Sequence, residues 1–148
     1  KEGDEAEIKK LHRETVKKSN SKDYSSKQIE AWTSEDIPVE KWAKSLLKNR
    51  SYVALEEKQI VGFGDLTNDG EIKRLYVHPG FQRRGIASAI LNKLEEEAKK
   101  LGRKEIHLNS TITSHQFYLN NGFEDIEKGS HMMNGLSFEV YKMRKILN

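Results

Sequence analysis

Ile72-Lys73-Arg74-Leu75-Tyr76-Val77-His78-Pro79-Gly80-Phe81-Gln82-Arg83-Arg84-Gly85-Ile86-Ala87 runs from a strand-like segment, through a short connection marked by Pro79 and Gly80, into the longest helical stretch of the chain. A helix that starts this way presents unpaired backbone N–H groups and the positive end of its dipole beyond the strand. Such a start suits a pyrophosphate. Gly85 lets phosphate oxygens approach the backbone, Ala87 keeps the next turn narrow, and Arg83 and Arg84 add positive charge. Taken singly, these features also fit an ordinary strand-to-helix turn with exposed arginines. The strand carries a separate signal. Ile72, Leu75 and Val77 cannot all lie on one face of a regular strand, because side chains alternate. One extra residue between Ile72 and Leu75 brings them into register, so a β-bulge is expected there.

Downstream, Ile86, Ala87, Ile90, Leu91, Leu94, Ala98 and Leu101 repeat at helical spacing, and Gly102 stands where a C-cap glycine belongs. Ile106 and Leu108 mark a short strand. Ser114 to Asn121 suits a brief helix stopped by Gly122. Phe123 to Met133 and Leu136 to Met143 read as strands joined at Asn134-Gly135, a favoured hairpin dipeptide. Upstream, Tyr52 to Leu55 and Ile60 to Leu66 form a hairpin about the polar turn Glu56-Glu57-Lys58, and Asn68-Asp69-Gly70 turns the chain into the strand Glu71 to Val77. The first third is helical. Asp4 and Glu7 have capping-box spacing, and Ile8, Leu11 and Val16 continue a stripe to about Ser19. Asn20 to Tyr24 is loop-like. Ser25 opens a second helix with Ile29 and Trp32, and Pro38 a third with Trp42, Leu46 and Leu47. Both tryptophans are expected in the core. No repeat, low-complexity stretch or linker interrupts the pattern, so residues 1–148 are expected to form a single α/β domain.

Composition narrows the functional classes. Hydrophobic residues make up 35% and charged ones 33%, but the apolar residues cluster, which argues against global disorder. No apolar run approaches the roughly 18 residues needed to cross a bilayer, and no signal-peptide pattern is present. The absence of cysteine rules out a disulfide framework, a thiolate nucleophile and cysteine-ligated metal, and points to a reducing cytoplasm. A net charge of +3, from 26 basic and 23 acidic residues, is too balanced to indicate nucleic-acid binding by charge alone. His107 and His115 have no matching carboxylate pattern for zinc, and neither a Walker loop nor a serine nucleophile elbow occurs, so no metal is expected.

Gln82-Arg83-Arg84-Gly85-Ile86-Ala87 resembles the Q/R-x-x-G-x-G/A signature of the GNAT superfamily of N-acetyltransferases, with Ala87 in place of the second glycine. Leu75-Tyr76-Val77-His78-Pro79 is similar to that family's fourth strand. Ser114-His115-Gln116-Phe117-Tyr118-Leu119-Asn120-Asn121-Gly122-Phe123 resembles its second motif, a short helix ending in Tyr-x-x-x-Gly-Phe. Tyr24 to Trp32 resembles a stretch in a microbial branch of the superfamily. The resemblance implies a mixed, mainly antiparallel sheet with helices on both faces, opened in a V where the bulged strand splays from its parallel neighbour. It implies acetyl-CoA as cosubstrate and direct transfer of the acetyl group to a primary amine of a small molecule or a peptide. It also implies a strand before the first helix, which is expected to be missing or truncated because only three residues precede Asp4.

By the same resemblance, backbone groups of Leu75 and Val77 hold the pantetheine arm and polarise the thioester. Tyr76, Gln82, Arg83, Arg84, Gly85, Ile86, Ala87, Asn109 and Phe117 complete the cofactor contacts. Tyr118 is the expected general acid toward the departing thiolate. A packing role beside Phe117 and Phe123 is its alternative. Glu71, at the head of the bulged strand, is the first candidate for a general base acting through water, with His131 and His78 as further titratable candidates. No nucleic-acid or membrane partner is expected, and the protein is expected as monomer or homodimer. Two other classes stay open at this point: a non-catalytic acyl-CoA-binding domain, and a binder of another phosphorylated ligand or of nucleic acid through Arg83 and Arg84.

Overall fold

In the computed structural model the described residues are 3–34, 38–82, 84–133 and 135–147. Three helices come first: α1 (Glu5–Ser19), α2 (Ser26–Ser34) and α3 (Val39–Lys48). The capping box expected at Asp4 does not form. Asp4 is the N-cap of α1 but its side chain makes no capping bond, and Glu7 Oε2 instead accepts the Ile60 N–H at 3.3 Å. A reciprocal box forms at α2. There Ser25 Oγ accepts the Gln28 N–H at 3.1 Å, and Gln28 Oε1 accepts the Ser25 N–H at 2.9 Å.

The strands β1 (Arg50–Glu56), β2 (Gln59–Leu66) and β3 (Ile72–Val77) make one antiparallel sheet in the order β1-β2-β3. Its first turn places Glu57 and Lys58 at φ 47° and 71°, the doubly left-handed geometry of a tight hairpin. On β3, Ile72 pairs with Leu66 and Arg74 with Asp65, so Lys73 is the extra residue. This is the bulge demanded by the alternation of Ile72 and Leu75. A single 3₁₀ turn at Pro79–Phe81 leads to α4 (Ile86–Lys100), which ends in a Schellman arrangement. In it the Arg103 N–H donates to Ala98 and the Gly102 N–H to Lys99, each at 3.0 Å.

Then come β4 (Glu105–Thr111), α5 (His115–Asn120), β5 (Glu124–Met133) and β6 (Leu136–Ile146), whose strands form a second antiparallel sheet in the order β4-β6-β5. Asn134 of the expected hairpin dipeptide lies outside the described residues. The two sheets meet through one parallel bridge, Glu71 with His107, where the His107 N–H donates to the Gly70 carbonyl at 3.0 Å. Beyond it β3 and β4 diverge, which is the expected V. No strand precedes α1 among the described residues, and β1 is the outer edge.

The core has two sides. On one, α4 buries Ile90, Leu91 and Leu94 against Leu66, Ile72, Ile106, Leu108 and Met143. On the other, α1 and α3 pack Ile8, Leu11, Trp42 and Leu46 on Phe63. A third cluster, Val16, Tyr24, Trp32 and Phe138, fastens the α1–α2 segment to β6, so both tryptophans are buried. Among the described residues no helix is long and apolar enough to cross a membrane.

Candidate active site

The divergence of β3 and β4 opens a cleft of about 640 Å³. Its two long edges follow from ladder parity. The His78 N–H donates to the Val61 carbonyl at 2.7 Å, so alternation makes Tyr76 and Arg74 the residues bonded to β2. The N–H and C=O of Leu75 and Val77 therefore face the open edge. On the opposite wall the Leu147 N–H donates to Lys104 at 2.8 Å, which by the same parity turns the backbone of Asn109 and Thr111 toward the cleft. An extended polar ligand between the strands meets backbone groups left out of the ladders on both sides, two of which are already engaged: the Val77 carbonyl accepts from Gln82 Nε2 and the Thr111 carbonyl from Ser110 Oγ.

One end of the cleft is the start of α4. Gly85 is its N-cap at φ 80°, in the left-handed region, and a Cβ built there meets nothing within 4 Å. The helix start is thus open to an anion, as a phosphate cradle requires. Gln82 braces it: its Nε2 donates to the Val77 carbonyl at 3.1 Å and to Ser19 Oγ at 2.8 Å. Gly85, Ile86, Ala87 and Gln82 line the cleft together with Leu75, Tyr76, Val77, Asn109, Phe117 and Tyr118. Arg84 is exposed outside the lining, its guanidinium carbon 5.1 Å from the Phe81 ring centre. Arg83 lies outside the described residues.

Tyr118 enters from α5. It is 5% exposed and packs edge-on against Phe117 and Phe123, with ring centres 5.1 and 5.2 Å away. Burial, with a smaller contribution from Tyr76, raises its phenol above the usual tyrosine range, so it is protonated at neutral pH. The short helix carrying it is clamped at its other end. His115 Nε2 lies 2.8 and 3.0 Å from the Asp125 carboxylate oxygens, and its ring stacks on Tyr141 at 3.8 Å. Tyr118 therefore both packs and lines the cleft.

The base candidates are placed elsewhere. Glu71 lies outside the cleft lining, in an adjoining charged depression with His107, Arg103 and Arg144 that shares Leu108 and Asn109 with the cleft. His131 is exposed on β5 opposite Phe138. His78 Nδ1 accepts the Gly80 N–H at 3.0 Å, and its Nε2 lies 3.4 Å from Glu14. The structure brings none of the three to Tyr118.

It also supplies lining residues that motif reading does not single out. Asn20 is only 4% exposed yet lines the cleft, and Thr113 Oγ1, also in the lining, is buried without a hydrogen-bond partner among the described residues. A buried polar atom left unpaired in a cleft is a place for a ligand. Together with the open helix start and the turned-out strand edges, these groups fit an acyl-CoA.

Residues 20–146 match the family described as an acetyltransferase (GNAT) domain. An uncharacterized N-acetyltransferase, YafP, of Escherichia coli (strain K12) is 30% identical over 96% of this chain and 89% of its own. A spermidine N(1)-acetyltransferase of Thermoplasma acidophilum is 28% identical over 74% of this chain and 77% of its own. Among solved structures, a GCN5-related N-acetyltransferase from Rhodopseudomonas palustris superposes with a TM-score of 0.95, covering 99% of this chain and 92% of that one, at 24% identity. The PaiA N-acetyltransferase of Thermoplasma acidophilum, solved with coenzyme A, superposes with a TM-score of 0.78 at 25% identity, over 97% and 93% of the two chains.

Proposed function

The chain belongs to the GNAT acetyltransferase family as an acetyl-CoA-dependent N-acetyltransferase, and on that premise we propose that it acetylates a primary amine of a small molecule directly, with Tyr118 as general acid. The observation that carries the reading is the alignment, along one cleft, of the open helix start at Gly85, the turned-out backbone of Leu75 and Val77, and the protonated phenol of Tyr118. When bound, acetyl-CoA supplies a thioester carbonyl activated for acyl transfer. Amides of the α4 start and Gln82 bind its phosphate end. A backbone N–H at the β3 edge takes up negative charge developing on the carbonyl oxygen. As the amine nitrogen bonds to the acyl carbon and the carbon–sulfur bond breaks, Tyr118 gives its proton to sulfur, while the nitrogen loses one to water. The chain contains no cysteine, which supports transfer without a thioester on the enzyme. The spermidine acetyltransferase relative supports a small amine as acceptor.

Two variants test this. Gly85→Glu puts an anion and a strained left-handed side chain at the cradle, and calorimetry should show acetyl-CoA affinity reduced at least about a hundredfold. Tyr118→Phe should keep that affinity and lower kcat about a hundredfold or more. Unchanged acetyl-CoA binding in Gly85→Glu removes the cradle, and unchanged kcat in Tyr118→Phe removes the acid.

A further inference from the structure

The α1–α2 segment crosses the end of the cleft where β3 and β4 stand apart. Ser19 Oγ accepts from Gln82 beside the cradle, and the Tyr24 hydroxyl reaches the opposite wall, donating to the Glu139 carbonyl at 3.0 Å and accepting the Ile112 N–H at 2.9 Å. The sheets are thus bridged at Glu71 and His107 and strapped by residues 19–24 at the other end. Asn20 belongs to this strap.

The cleft has two faces. α4 and α5 lie on one, where Leu75 of β3 packs in the same cluster as Phe117 and Tyr118. Alternation turns Arg74 and Tyr76 to the other. There the Tyr76 ring lies 4.6 Å from His12 of α1, and Arg74 lies over Trp42 of α3. Apart from the exposed Lys73 at the bulge, the polar side chains that α1, its C-cap and β3 add to the lining are Thr15, Ser19, Asn20, Arg74 and Tyr76. Thr15 Oγ1 donates to the Leu11 carbonyl at 2.8 Å, Ser19 accepts from Gln82, and Arg74 is bound to Asp65 and Ser45. Asn20 and Tyr76 are left. Asn20 is 4% exposed, and its backbone carbonyl accepts the Asp23 N–H at 3.1 Å, but its carboxamide makes no hydrogen bond with a described residue. Tyr76 uses its backbone on β2, and its hydroxyl likewise bonds to no described residue. Burial keeps that phenol protonated, and it lies near enough to Tyr118 to add to the larger effect of burial there. Buried polar groups left unpaired around one cleft are places for a ligand.

The reaction distinguishes the faces. Tyr118 meets the departing sulfur from the α5 side, so the attacking nitrogen comes to the acyl carbon from the α1 side. A neutral primary amine points its lone pair at that carbon and has two N–H hydrogens to place. The oxygens of a carboxamide and a phenol accept them without holding a proton on the nitrogen, as a carboxylate would. We propose that Asn20 and Tyr76 bind the attacking nitrogen of the acceptor on the α1 face and aim its lone pair at the thioester carbon. The inference rests on the acetyltransferase reading above and deepens it. Neither residue gains or loses a proton: sulfur receives one from Tyr118, and the nitrogen gives its own to water.

The test first follows acetyl-CoA binding by calorimetry in wild type, Asn20→Ala and Tyr76→Phe, whose affinities should agree within about threefold. Thiol release is then measured with spermidine, lysine, ethanolamine and benzylamine, and the amine with the highest wild-type kcat/KM is carried forward. Asn20→Ala and Tyr76→Phe should each lower kcat/KM for it by about tenfold or more. Asn20→Asp keeps an acceptor oxygen but adds charge, which favours the bound ammonium. It should move the rising limb of kcat against pH upward by about one pH unit, a displacement that loss of packing does not produce. If Asn20→Ala and Tyr76→Phe keep kcat/KM for the amine, or weaken acetyl-CoA binding about tenfold or more, the inference is overturned while the acetyltransferase reading stands. An unmoved limb in Asn20→Asp overturns it equally. If wild type binds acetyl-CoA but acetylates none of these amines, the small-amine acceptor falls and the inference with it. If wild type does not bind acetyl-CoA, the acetyltransferase reading itself falls.

Discussion

His12 lies on α1 between Trp42 and Tyr76, with ring centres 5.2 and 4.6 Å away. Desolvation, reinforced by the charge of Arg74, lowers its pKa from 6.5 to about 4. Arg74 itself is anchored by the Asp65 carboxylate, by Ser45 Oγ at 2.7 Å and over the Trp42 ring at 5.0 Å, while Asn49 completes the shell of Asp65. A positive His12 would therefore face a cation with its own counter-ion already engaged. The consequence has a definite sign. Above pH 6.5 the imidazole is neutral in both folded and unfolded chains, and its contribution to stability is complete. Between pH 6.5 and about 4 the unfolded chain takes up the proton and the folded one does not, so stability falls by at most about 3 kcal/mol. Urea unfolding of wild type and His12→Gln at pH 7 and pH 4.5 should show the wild type losing more on acidification. Parallel losses in the two proteins would mean that His12 does not titrate in this way. Residue-scale logic of this kind is poorly legible in sequence. His12, Trp42, Arg74 and Tyr76 come from three different elements, and only their packing makes the histidine unusual. The same holds at the cleft, which Asn20 and Thr113 both line, one from the end of α1 and the other from the turn before α5. Tyr118, by contrast, was legible because its partners Phe117 and Phe123 are close in sequence and form part of one motif.

At the scale of elements, α4 lies on β2 where the strand has no side chains to hold it off. A Cβ added to Gly64 would sit 2.8 Å from Ile90 Cγ2 and 3.2 Å from both Leu75 Cδ1 and Leu94 Cδ1. Ile90 is β-branched and buried, so it cannot swing away cheaply. Gly64→Ala should therefore destabilise the fold by about 1–3 kcal/mol through overpacking, a cost read from the chemical denaturation midpoint. Gly85→Ala, at an open position, would be strained only by its backbone. If Gly64→Ala proves neutral or stabilising, α4 and β2 are not packed as closely as described. Elements were the most legible level. Helices, strands and their order followed from period, turn residues and caps, and the bulge followed from a parity conflict within six residues. The exceptions have local causes. Glu7 was free for a capping box by spacing, but the Ile60 N–H, from a strand far along the chain, took its carboxylate. β6 extends to Ile146, beyond its last obvious apolar alternation at Met143, because pairing with β4 continues through Lys145 and Ile146.

The whole molecule is two antiparallel sheets that share one bridge and a strap, with the cleft as the seam between them. Its architecture was legible from the motif resemblance, whereas the positions of Glu71 and His131 relative to the cleft were not. Strand pairing decides them: the bridge to His107 commits Glu71 to the neighbouring depression, and the hairpin carries His131 to the exposed part of β5. The seam predicts how a ligand should act on the entire fold. Acetyl-CoA in the proposed cleft site would bond to both walls and so hold the sheets together. At a hundred times its Kd it should raise the unfolding free energy by about 2.7 kcal/mol. The more telling readout is where protection appears. In hydrogen exchange, the amides of Leu75, Val77, Asn109 and Thr111 face the seam and should gain protection. Those of Arg74, Tyr76, Leu108 and Ser110 are already bonded within their own sheets and should change little. Protection that alternates residue by residue along both strands is the signature of a ligand laid between them. Uniform slowing of all these amides would instead report global stabilisation by a ligand bound elsewhere, and would remove the seam from the account of binding.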